Sequence, residues 1–231
     1  MTVLTVDDLV FELRRSARRK TLEIIIDRGG ELVVAAPEDT AEEAIRRFIH
    51  KKRFRVYTKL AEKEKLRPTR GPKEYVSGES FHYLGRTYRL LLVDDQDAPM
   101  KLLGGRFRLL RSDAAGGKKR FIHWYTDHAR PWLTERMKPW AERVGVSPGT
   151  VEVRPLGHRW ASCSPNGRVN FHWATIQLPP SIIDYLIVHE LVHLHEHDHT
   201  PGFWKRVERA MPDFASRKQW LAENGAEYVR L

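Results

Sequence analysis

The stretch SIIDYLIVHELVHLHEHDHTPGFW at 181–204 constrains this chain more than any other. Ile182, Ile183, Leu186, Ile187, Leu191 and Leu194 predict a buried helix running from about Ser181 through Glu196. Within it lies HELVH. His189 and His193 are four apart, so a helix projects both from one face, one turn from each other. Two imidazole nitrogens so placed can reach one Zn²⁺ at about 2.0–2.1 Å. Glu190, next to the first histidine, is the candidate general base: it can take a proton from a metal-activated water and deliver it to a leaving amine. The pattern fixes only three positions, so a core helix with satisfied histidines is the plain alternative. The strongly apolar helix and the histidines that follow favour a site.

A catalytic zinc usually takes three protein ligands and leaves one place open. His195 falls on the opposite side of the helix from the pair, and His197 reaches their face only if the helix continues. His199 follows the expected helix end, because Pro201 disfavours a helical Thr200 and Asp198 accepts a tight turn. The candidates for third ligand are therefore His199, then a downstream carboxylate such as Glu208, then His197. The spacing of His199 matches the last histidine of HExxHxxGxxH, but Glu196 stands where that pattern has its turn glycine. A closed set of His189, His193, His197 and His199 would instead make a structural zinc in a nucleic-acid-binding module, with Glu190 idle. A metallohydrolase acting on a non-peptide amide is a third reading of the same residues.

The rest of the chain reads as α+β. Residues 21–27 and 31–36 are β-rich and flank Gly29-Gly30, a hairpin signal. Pro37 to Thr40 opens a long helix with Asp39 or Thr40 as N-cap and Ile45, Phe48, Ile49, Val56 and Leu60 at helical spacing. From Ala44 to Ala61 that helix carries seven basic residues and no acidic one: Arg46, Arg47, Lys51, Lys52, Arg53, Arg55 and Lys59. Pro68 to Pro72 breaks it. Hairpins are expected over 80–93, turning near Gly85, and over 101–110, around Gly104-Gly105. Ala114-Ala115-Gly116-Gly117 is the most linker-like stretch, which sets a boundary between a β-rich region at 1–116 and a second domain at 117–231. Residues 121–144 are helical in pattern, as one helix or two because of Pro131 and Pro139. Strands at 150–154, 158–163 and 168–176 precede the HELVH helix, and two helical segments follow it.

The 231 residues suffice for one large or two small domains. No stretch approaches the roughly 18 apolar residues of a membrane span, and Asp7, Asp8 and Glu12 interrupt any export signal, so membrane partners are excluded and a cytoplasmic location is expected. Cys163 is the only cysteine, which rules out an intrachain disulfide and a four-cysteine metal site. The formal charge of +10, with 40 basic against 30 acidic residues, allows a polyanion contact through Arg46, Arg47, Lys51, Lys52, Arg53 and Arg55, or simply a solvated face.

VHELVHLHEHDHTPGFW resembles the signature of the YgjP-like bacterial metallopeptidases, relatives of the SprT-like and Wss-like zinc proteases. That pattern runs HELxHL, three variable residues, Asn-His-Ser, two residues, then Phe-Trp; here Asp198 and Thr200 replace the Asn and the Ser. RWASCSPNGRVNFHW at 159–173 is similar to the family's RWGSCS segment with Ala161 in place of Gly, and RRSARRKTLEIII and SGESFHYLGRTYRLLLV resemble its opening strand and central hairpin. The resemblance spans roughly residues 14–223. It implies one Zn²⁺ per chain on His189, His193 and His199, Glu190 as general base, a protein or peptide substrate, and a zincin-like fold with an N-terminal β-rich extension. Kinship with the SprT-like proteases extends the expectation to proteins on DNA. Arg159, Trp160 and Ser162 are candidates for the substrate groove or for stabilising an oxyanion, with core packing by Trp160 and Cys163 as the alternative.

Overall fold

The computed structural model describes residues 2–26, 31–65, 73–157 and 159–231, with the backbone alone over 61–65. The turn expected at Gly29-Gly30 and the helix break at Pro68 to Pro72 lie outside the described residues. The chain divides into two compact units, Met1–Thr69 and Arg70–Leu231.

In the first unit, four strands pair in the order β1-β2-β4-β3: β1 (Thr2–Val6), β2 (Leu9–Ser16), β3 (Glu23–Ile26) and β4 (Leu32–Pro37). β1 and β2 form an antiparallel hairpin through Asp7, which takes a left-handed φ of 54°. This hairpin was not expected from the sequence. Its period-2 signal is plain once seen, since Leu9, Phe11 and Leu13 are buried and Val10 is exposed. β2 runs parallel to β4, and β3 runs antiparallel to it. Helix α1 (Glu42–Lys65) covers the apolar face, burying Ile45, Ile49 and Val56 against Leu4, Phe11, Val34 and Ala36. It begins two residues past Thr40 because residues 37–40 close a turn, with the Thr40 N–H on the Pro37 carbonyl at 3.3 Å.

The second unit holds two sheets and four helices among the described residues. The first sheet, in order β5-β6-β8-β7, comprises β5 (Ser80–Tyr83), β6 (Arg86–Val93), β7 (Met100–Leu103) and β8 (Arg106–Leu110). Its Phe81 and Phe107 pack on Phe121 of helix α2 (Gly117–Val144), Phe81 and Phe121 stacking at 3.9 Å between centroids. That aromatic core keeps residues 80–110 with the second unit, so the division falls at 69/70 and not at the expected 116/117. Ala114 to Gly117 is no linker. Residues Arg111–Gly116 form a 3-10 turn leading straight into α2, and a Cβ at Gly117 would lie 2.4 Å from the Tyr75 ring. α2 is a single helix despite Pro131 and Pro139. Both prolines are exposed, and the carbonyls they free, those of Asp127 and Glu135, belong to exposed residues where water can satisfy them.

The second sheet, in order β10-β11-β9, comprises β9 (Val151–Arg154), β10 (Ala161–Cys163) and β11 (Val169–His172). Helix α3 (Pro180–Val192) packs on β10 and α2, with every residue from Ile182 to Val188 buried. The Gly85 turn fixes its entry: the Leu84 and Gly85 N–H groups donate to the Ile176 and Gln177 carbonyls at 2.8 and 3.0 Å, and a Cβ on Gly85 would come within 2.8 Å of Pro179. Arg136 of α2 grips the buried Asp184 carboxylate with two bonds of 2.7 and 2.8 Å. Helices α4 (Pro201–Ala210) and α5 (Phe214–Asn224) complete the unit. No described helix is long and apolar enough to cross a membrane.

Candidate metal centre

α3 ends earlier than expected, at Val192, with His193 at its C-cap. The next amides tighten the last turn, Leu194 N–H bonding Leu191 and His195 N–H bonding Val192 at 3.1 and 2.9 Å. The chain then loops through 196–200 and re-enters a helix at Pro201. Two devices hold this loop. The Thr200 side chain caps α4, accepting the Phe203 N–H at 3.3 Å, and its hydroxyl donates to the Glu196 carboxylate. Phe203 is fully buried and packs its ring against His189, His193 and His199 at 5.0, 4.6 and 4.8 Å. His199 is thereby brought back over α3.

The ring nitrogens of His189, His193 and His199 lie within 4.8 Å of one another, with the Nε2 atoms of His189 and His199 2.9 Å apart. The Nδ1–H of His193 donates to the Glu196 carbonyl at 3.2 Å, which leaves Nε2 with its lone pair free. Burial pushes all three imidazoles toward the neutral form, and His189 down to about 3. Three neutral nitrogens converging on one point form a donor set suited to a borderline-soft divalent cation.

Glu190 is buried beside them. Burial raises its carboxyl to about 8, against the pull of the Arg159 charge and the Cys163 N–H that bonds it. A cation held by the three histidines would oppose this shift by stabilising the ionised form. The Cys163 thiol is raised to about 11, by burial first and by Glu190 second, and lies outside the histidine group. Tyr185, one turn before His189, is raised to about 12 by burial and by Glu190.

Other sequence candidates fall elsewhere. His197 is not among the converging nitrogens, so the closed four-histidine set does not form among the described residues. His195 donates to the Val144 carbonyl at 3.1 Å, and Glu208 is exposed on α4. Of the groove candidates, Arg159 acts on Glu190 electrostatically. Trp160 sets its ring against Gly225, and its carbonyl accepts from the His172 N–H and the Thr175 hydroxyl at 2.8 and 3.1 Å. Ser162 faces Asn170 across the β10–β11 pair, with the Asn170 amide donating to its carbonyl at 3.3 Å. Sequence reading missed the Glu196–Thr200 clasp and Lys218, whose charge reaches His189 and His199. Only Tyr185 carried a signal, its four-residue spacing from His189.

Replacing Thr200 with valine keeps the shape but removes both bonds of the clasp. Zinc affinity is expected to fall about 10-fold, the low end for losing a group that orients a ligand. A competition titration against a chromophoric chelator measures it; unchanged affinity would show that the loop holds His199 without Thr200.

Comparison with known proteins adds the following. The profile of a family described as YgjP-like, metallopeptidase domain, matches residues 20–224. No curated protein matches. A solved structure described as the metallopeptidase zymogen of Pyrococcus abyssi abylysin shares 24% identity, covers 38% of this chain and 91% of its own, and superposes with a TM-score of 0.36.

Proposed function

The chain belongs to the YgjP-like metallopeptidase family, and on that premise we propose that it hydrolyses peptide bonds with one zinc held by His189, His193 and His199 and with Glu190 as general base. It is a peptidase of α+β, zincin-like fold, and its family implies a metal. The convergence of three imidazoles from α3 and the following loop, with Glu190 on the same helix, carries the choice of residues.

When bound, zinc supplies Lewis acidity that activates a water and polarises the scissile carbonyl. Glu190 takes the proton from the attacking water and hands it to the leaving amine. Its bond from the Cys163 N–H aims the carboxylate, and Arg159 favours its ionised form and is the candidate partner for a developing oxyanion. β10 is the edge strand that receives the substrate. The Trp160 carbonyl accepts from His172 and the Ser164 N–H donates to the Arg168 carbonyl, so the alternate residue Ala161 turns its backbone groups to the open edge beside the Cys163 N–H that holds Glu190, where an extended peptide can add as a further strand. The single cysteine accords with a cytoplasmic setting.

The test is metal content and turnover together. About one zinc per chain is expected, with cleavage of an unfolded protein substrate that stops with a chelator and returns with added zinc. A chain that takes up no zinc when zinc is supplied, or that cleaves equally with chelator present, would sink the reading.

A second partner reading rests on α1. Phe54 is 83% exposed there, and Arg47, Lys51 and Arg55 share its outward face at helical spacing. An unburied aromatic among cations suits nucleic acid, and would bring the peptidase to proteins on DNA. Arg46 is spent inside the unit, on Glu42 and on the Thr5 carbonyl at 2.7 Å. With roughly three phosphate contacts, affinity is expected to drop about 40-fold between 50 and 200 mM salt. Absence of DNA binding at about 50 mM salt, or charge reversal of Arg47 and Lys51 without effect, rejects this partner.

A further inference from the structure

We propose that Lys218 determines specificity, its ammonium holding a carboxylate of the peptide substrate beside the three-histidine group. The inference rests on reading that group as the peptidase centre.

Lys218 lies on α5, four residues after Phe214, so both side chains leave one face of the helix. Both meet Trp204. The Phe214 ring stacks on the indole at 5.6 Å and 20°, and the Lys218 Nζ stands 4.0 Å from the indole centroid. The same indole stacks on His199 at 5.7 Å and 24°. A continuous run of rings thus links the ammonium to a proposed ligand. An exposed lysine usually sweeps a wide volume, but here the face of an indole holds its charge in one place.

The ammonium is also unspent. Neighbouring cations are engaged: Arg217 bonds Asp213 and the Ser181 carbonyl at 2.8 Å, and Arg136 is locked to Asp184. Among the described residues, no carboxylate lies within ion-pair distance of Lys218. Three N–H donors therefore remain for a ligand. The indole that carries the ammonium also lies against the centre, its ring 5.7 Å from that of His199 and 5.8 Å from that of His189. Arg159 adds a second cation near Glu190. Two cations around one hydrolytic centre attract anionic substrates and favour a carboxylate close to the scissile bond. That carboxylate is an Asp or Glu side chain or a free C-terminus; the chemistry is shared and the experiment separates them.

The test measures binding first, on the zinc-loaded full chain carrying Glu190→Gln, which does not turn substrate over. The probes are labelled synthetic peptides: a neutral parent, versions with Glu or Gln at each position flanking the centre, and the parent as free acid or amide. Anisotropy gives Kd, and zinc content is recorded for every protein. A Glu peptide is expected to bind about 10-fold more tightly than its Gln counterpart, as one charge-assisted hydrogen bond allows. In Lys218→Met this ratio falls to about 1, and in Lys218→Glu it inverts, the Glu peptide binding more weakly than its Gln counterpart. If the ratio appears only between free acid and amide, the carboxylate is the C-terminus. Equal binding of all peptides, failure of any to bind, or a Glu preference that survives Lys218→Glu overturns the proposal. Hydrolysis of the neutral parent with Glu190 intact separates the two readings. Hydrolysis without acidic preference removes Lys218 and keeps the peptidase centre; acidic preference without hydrolysis keeps Lys218 and removes the residue assignment of the centre.

Discussion

Glu190→Gln is expected to lower peptide hydrolysis by roughly 10²–10⁴-fold, the range that a positioned acid–base group contributes. Zinc content should stay near one per chain, since Glu190 is not among the three converging nitrogens. The fold should hold as well. Glutamine has the same shape, its carbonyl oxygen can still accept the Cys163 N–H, and it carries no charge to desolvate in a site that pushes the carboxyl up. The variant therefore separates chemistry from folding. The wild-type pH profile follows from the same residue. A general base works only when ionised, so the rate is lost as pH falls through the Glu190 pKa. Burial moves that limb upward, and Arg159 and a bound cation move it down. Steady-state rates with zinc assayed on the same samples decide the matter. Retention of full activity in the glutamine variant would leave Glu190 a buried packing group and revive a structural metal.

The second large effect is at His199. Its replacement by alanine is expected to weaken zinc binding by more than about 100-fold, because loss of a group that merely orients a ligand already costs 10–100-fold. Two imidazoles on one helix turn would remain, fewer than a catalytic zinc usually takes. The side chain is exposed, so its removal opens no cavity and the thermal midpoint of the metal-free protein should hardly move. His197→Ala is the matched control: this exposed neighbour lies outside the group and should leave zinc affinity unchanged. Equal affinity for wild type and His199→Ala would move the third ligand elsewhere.

The two effects differ in how far each residue could be read from the sequence. A helix has a fixed period, so the four-residue spacing of His189 and His193 places them together whatever surrounds them, and Glu190 follows from adjacency. Local chemistry likewise marks the turns at Gly85 and Gly104-Gly105, both of which carry the positive φ that glycine permits. The strand pairs over 80–93 and 101–110 follow from those turns. These features depend on neighbours in the chain, and the sequence by itself determined them.

Features that depend on distant partners were settled only by the tertiary structure. The path of His199 was ambiguous because a loop has no period; the Thr200 clasp and the burial of Phe203 under three histidines decide it. Arg46 read as one cation of an exposed stripe until the Thr5 carbonyl, 41 residues away, claimed it. Asp184 sits on the same helix as His189, and only the packed structure shows that Arg136 on α2, 48 residues away, occupies its carboxylate. The expected boundary at 116 rested on small residues that resemble a linker. Gly117 is small instead because the Tyr75 ring presses on it, and Phe81, Phe107 and Phe121 bind both sides of that point into one core. Lys218 gave no sequence signal, since its placement depends on the docking of α5 and on one indole ring. Spacing along a helix is a property of covalent geometry; which distant side chain meets another is a property of packing, and packing exists only once the chain has folded.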